Sequence, residues 1–127
     1  MSYVVVYDLP EFDTGQYEGF EFVMDEGDAS LRIRVAELGV ITITFCRVRW
    51  HQFTAAPNCT AELVEGAYFR LVDVASPALQ AFLAADRSTL KAYSGLHHFR
   101  IFLDESGCHE LFAESFNVVK PAAQIQC

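Results

Sequence analysis

Residues 96–119, LHHFRIFLDESGCHELFAESFNVV, restrict the fold more than any other part of this chain. Phe99, Ile101 and Leu103 alternate with His98, Arg100 and Phe102 ahead of Asp104-Glu105-Ser106-Gly107. Behind that tetrapeptide, Leu111 and Ala113 alternate with Glu110, Phe112, Glu114 and Phe116. A period of two puts successive side chains on opposite faces of a β-strand. Gly107 tolerates positive φ and the Asp104 carboxylate can accept from the turn backbone, so the pattern predicts a hairpin. Phe102, Phe112 and Phe116 fall on the more polar face. Strands with large apolar groups on both sides need cover on both, which places this hairpin inside a sheet.

The rest of the chain reads mainly as further strands. Residues 3–7 are β-branched and aromatic and stop at Asp8-Leu9-Pro10, as a first strand would and a signal peptide would not. In residues 17–24, Tyr17, Gly19, Glu21 and Val23 share one face, with Glu18, Phe20, Phe22 and Met24 on the other. Asp25-Glu26-Gly27-Asp28 makes a turn, and residues 31–37 follow with Leu31, Ile33 and Val35 inward and Arg32 and Arg34 outward. Residues 40–53 run as one long strand or as two with a bulge, because the apolar phase changes near Cys46-Arg47. Residues 61–66 suit a short helical turn or a strand start, and 67–74 a strand. Ser76 as N-cap and Pro77 at the first helical position open the principal helix. Its stripe is Leu79, Phe82 and Leu83, with Leu90 extending it, and residues 120–127 form a frayed tail. The expected fold is a single α+β domain over residues 1–127: a mostly antiparallel sheet of roughly six to eight strands with one principal helix packed on it.

With 127 residues, 52% of them hydrophobic, the chain can bury a core without staples. No apolar run approaches the length of a membrane span. Without an export signal, Cys46, Cys59, Cys108 and Cys127 are expected as reduced thiols of a cytoplasmic protein. The formal charge of −8 is unevenly placed. Asp8, Glu11, Asp13, Glu18, Glu21, Asp25, Glu26 and Asp28 all lie in residues 1–28, which hold no Lys or Arg, whereas nine acidic and nine basic residues balance in the remainder. Such a block repels phosphate, which excludes nucleic acid as a partner. It suits a basic protein, a cation or simple solubility.

Residues able to do chemistry are scattered. Cys46, His51, Cys59, His97, His98, Cys108 and His109 show neither C-x2-C nor H-x3-H spacing, so no metal or cofactor is expected. Cys108 with His97 or His98 across the hairpin would need an oxyanion site that no Gly-rich turn or helix start supplies; a small residue at a strand start accounts for it. Glu110 and Glu114 are an acid/base pair, a solvated edge, or partners for Arg100. Arg47, Arg49, Trp50, His51 and Phe53 make a polar-aromatic stretch. Trp50 and His51 either anchor a partner or belong to the core, with the arginines answering the N-terminal acids internally.

The segment HHFRIFLDESGCHELFAESFNVV resembles the closing hairpin of small bacterial proteins of the immunity type, encoded beside polymorphic toxins. ITITFCRVRWHQFTAAPNCTAE followed by AYFRLVDVASPALQAFL is similar to that group in arrangement. The resemblance implies a stoichiometric toxin inhibitor with no catalytic residues. Its partner-binding residues would then be the eight N-terminal carboxylates with Trp50 and His51, facing a basic toxin domain. The alternative is a small-molecule-binding or enzymatic domain using a face lined by Trp50 and His51. A homodimer through an exposed sheet edge is a third arrangement.

Overall fold

The computed structural model describes residues 2–85 and 95–119. In chain order the strands are β1 (Tyr3–Asp8), β2 (Tyr17–Asp25), β3 (Asp28–Val35), β4 (Gly39–Cys46), β5 (Trp50–Ala55), β6 (Arg70–Val74), β7 (His97–Leu103), β8 (Gly107–Ala113) and β9 (Ser115–Val119). A one-turn helix, α1 (Ala61–Val64), precedes β6, and the main helix, α2 (Pro77–Ala85), follows it. The α+β class stands. The strands number nine among the described residues, and they form two sheets where one was expected, ordered β1-β6-β7-β8-β5 and β2-β3-β4-β9.

Alternation explains why the sheets stack. Along β3, Ala29, Leu31, Ile33 and Val35 are buried while Arg32 and Arg34 are exposed. Ile41, Ile43 and Phe45 of β4 repeat the pattern. They meet Leu71, Phe99, Ile101, Leu103 and Leu111 of the other sheet in one continuous apolar cluster. Face-to-face burial of two such surfaces is the main stabilising term of a sandwich.

The count rises above the expected six to eight at one corner. Residues 40–55 and 107–119 each break in the middle, and the two halves join different sheets. Arg47 takes φ +54°, and its N–H donates to Asp28 Oδ1 at 3.0 Å. Val48 N–H donates to Gly27 O at 2.6 Å, and Glu114 N–H donates to Cys46 O at 3.0 Å. The phase change near Cys46-Arg47 is thus a crossing between sheets, and β8 to β9 crosses alongside it.

The outer face of the five-stranded sheet is covered. Val72, Val74, Phe102 and Cys108 pack with Leu63 and Val64 of α1, and Phe112 with Leu79 and Phe82 of α2. Every residue of β8 is consequently buried, as cover on both faces requires. Ser76 Oγ accepts from Leu79 N–H at 3.2 Å, capping α2. Leu83 is exposed, so the helix stripe is narrower than expected. Leu90, Cys127 and residues 120–127 lie outside the described residues. Among the described residues no helix is long and apolar enough to cross a membrane.

One strand face departs from the simple period. A bulge between Tyr17 and Gly19, with Gly19 at φ +124°, returns Tyr17 to the inner face instead of leaving it beside Glu21. Tyr17 packs edge-on against Phe69 and its hydroxyl shares a 2.6 Å hydrogen bond with Ser106 Oγ.

Candidate functional site

Among the described residues no helix lies on the outer face of the four-stranded sheet, and its β2–β3 end is acidic. Glu21, Asp25, Glu26 and Asp28 line an open groove of about 500 Å3 with Val23, Ser30, Arg32 and Thr44. Antiparallel pairing of Glu21 with Arg32 and of Asp25 with Asp28 brings them together from a short tract of sequence. The groove sets four carboxylates against the guanidinium of Arg32, which lies 3.6 Å from Glu21. Both members of that pair are more than half exposed, so water screens it strongly. Val23, on the groove wall, is 47% exposed.

The remaining four N-terminal acids are placed elsewhere. Asp8 ends β1 and is answered by Arg70 Nε at 2.9 Å. Glu11 is exposed in the following loop, and Asp13 caps the 3-10 turn Thr14–Gln16. Glu18 is exposed at the β2 bulge. The acidic block of the sequence is therefore half a groove and half dispersed.

Trp50 and His51 do not share a face. Trp50 stands opposite Phe112 under the helical layer, with ring centroids 4.5 Å apart. His51 points between the sheets, stacks on Phe22 at 3.9 Å, and brings Nε2 to 3.3 Å from His109 Nδ1. A face lined by both residues is excluded because they are consecutive on a strand. Burial, and secondarily the neighbouring His51, pushes the His109 pKa down to about 3, and burial lowers that of His51. His109 Nε2 is buried with no hydrogen-bond partner.

On the covered face, Glu110 Oε2 accepts from Arg100 Nε at 3.1 Å and Nη2 at 3.0 Å, and lies 2.9 Å from His98 Nε2. Arg100 and Glu110 are register partners, whereas His98 reaches Glu110 diagonally. Burial alone would raise the Glu110 pKa, but the hydrogen bonds from His98 and Arg100 and the Arg100 charge outweigh it and hold it below the usual range. Of the alternatives for Glu110, the Arg100 partner is the one realised. Glu114 does not join it: it sits at the β8–β9 crossing, 3.3 Å from Arg47 Nη1. Cys108 stands opposite Phe102 in the register, four residues along β7 from His98. Burial pushes its thiol up to about 12, so no thiolate nucleophile forms there near neutral pH.

A second pocket, of about 230 Å3, opens at the seam between the sheets where β9 meets β1, β6 and β7. Phe99, Phe116 and Val6 give it apolar walls, and Asp73, His97, Glu114 and Ser115 give it polar groups. His97 Nδ1 lies 2.8 Å from Asp73 Oδ2. The sequence places His97 on the Phe99 face but gives no sign that β6 and β7 are neighbours, so this pairing emerges only on folding. Among the described residues no three His, Cys, Asp or Glu side chains gather as a metal-ligand set. Comparison with protein-family models, curated proteins and solved structures returned no match, so the functional reading rests on these residues and their geometry.

Proposed function

We propose that this chain is a non-enzymatic binding protein of the immunity type, covering a basic partner such as a toxin domain through the β2–β3 groove. The observation that carries the reading is the excess of carboxylates there: Glu21, Asp25, Glu26 and Asp28 face one guanidinium, with exposed Val23 among them. Concentrated negative charge accelerates encounter with a cationic surface, and apolar groups beside it supply the contact that charge alone does not. The groove is built on paired strands of a packed sheet, so little ordering entropy is lost on binding.

The test compares the wild-type chain with the fourfold variant Glu21→Gln, Asp25→Asn, Glu26→Gln, Asp28→Asn in pull-downs from the native host, then in stopped-flow association with the captured protein. The expected partner is basic, is lost with the variant, and associates with wild type more slowly as salt rises. An association rate indifferent to both salt and the variant overturns the reading.

A further inference from the structure

We propose that the seam pocket between β9 and β1, β6 and β7 is a binding site for a compact organic cation, a protonated amine or guanidinium on a short apolar stem. This inference is independent of the β2–β3 groove. The pocket's polar groups are the Asp73 and Glu114 carboxylates, the Ser115 hydroxyl and His97, whose Nδ1 is directed at Asp73. Asp73, while accepting from His97, keeps lone pairs for a second donor. Glu114 is met by Arg47, whose side chain is 65% exposed and so neutralises it weakly. The lining holds two carboxylates and no Lys or Arg, so a cation is the charge it lacks.

The walls favour the same ligand class. Phe99 and Phe116 meet edge-to-face at 5.5 Å and offer aromatic surface to a cation or its alkyl stem. A volume of about 230 Å3 admits a small amine or one basic side chain, and is below the range of pockets that take drug-sized ligands. An anion would meet two carboxylates, and a purely apolar ligand would leave them desolvated.

The experiment is a 1H–15N NMR titration of the full chain at constant ionic strength. The probes are n-butylammonium, n-butylguanidinium and the capped peptide acetyl-Gly-Lys-Gly-amide, with n-butanol and butyrate as controls. The expected result is saturable one-to-one binding of the cations, with shifts centred on Asp73, His97, Ser115 and Phe116. Asp73→Asn should weaken it about tenfold, the scale of one lost charge-assisted hydrogen bond. Ser115→Phe, at an exposed strand start, should abolish binding by filling the mouth while shifts elsewhere stay unchanged. Tighter binding of the free cations assigns the site to a small amine, and tighter binding of the peptide assigns it to a partner's basic side chain. The proposal is overturned if n-butanol shifts the same resonances equally, if the cation shifts map to Glu21, Asp25, Glu26 and Asp28 instead, or if Asp73→Asn retains full affinity.

Discussion

Glu110 is a buried carboxylate whose Oε2 meets the side-chain donors of His98 and Arg100, and its protonation state is tied to folding. Because its folded pKa lies below the ordinary 4.5, its contribution is complete above that pH and is lost as pH falls through the lowered value. Glu110→Gln should cost about 3–5 kcal/mol in urea unfolding at pH 7, since Arg100 would keep its charge in a buried site without a countercharge. His109 behaves differently. Its imidazole stays neutral in the fold down to about pH 3 but takes up a proton near 6.5 when unfolded, so stability falls with decreasing pH across that interval. The slope is about 1.4 kcal/mol per pH unit for one proton. His109→Leu should reduce that slope between pH 6.5 and 5, above the carboxylate range, leaving the part carried by His51, and should cost about 1 kcal/mol at pH 7.5, because His51 Nε2 loses its partner. A variant with the wild-type slope would show that other groups carry the acid sensitivity. The residue types of both clusters were visible in the sequence, where the Arg100–Glu110 pairing was one of three alternatives. The His98 contact was not, because a diagonal neighbour depends on the hairpin register.

The hairpin β7–β8 was legible because its period, its turn and its bulky residues agree. Gly107 shows how tightly that turn is specified: it has φ +146°, and a Cβ there would collide with Thr54 O of β5. Gly107→Ala should destabilise the fold by about 1–3 kcal/mol, from the unfavourable φ and the displaced backbone, read as a shift of the urea midpoint. A near-neutral result would mean that β5 yields there. The crossings at Arg47 and Glu114 were only half legible. Phase reversal at Cys46-Arg47 announced a break, but a bulge within one sheet and a step between two sheets produce the same pattern. The second break left no clear mark, since apolar groups occupy both faces of β8 ahead of it.

The two sheets divide the molecule into unlike surfaces. Helices and the α1 turn close the outer side of the five-stranded sheet, while the other sheet presents Glu21, Val23, Arg32, Arg34 and Val40 to solvent. Charge is where the sequence and the folded surface differ most. Asp8 is spent on Arg70, and Glu11 and Asp13 lie in the loop after β1, so any steering field comes mainly from the β2–β3 groove. Neutralising Asp8, Glu11 and Asp13 together should therefore slow association with a basic partner far less than neutralising the groove, in the same stopped-flow measurement. Equal slowing would place the binding surface elsewhere.

Local order determined much of this protein: strands from the two-residue period, α2 from Ser76-Pro77 and its stripe, and the buried hairpin from aromatic residues on both faces. These follow from neighbours in the chain, whose geometry sterics and burial dictate directly. Folding alone decided that there are two sheets, that Trp50 and His51 part company, and that Asp73 meets His97 at the mouth of a pocket. Each of those depends on which strands lie side by side, and strand order is set by the summed packing of the whole core, which no short window of sequence contains.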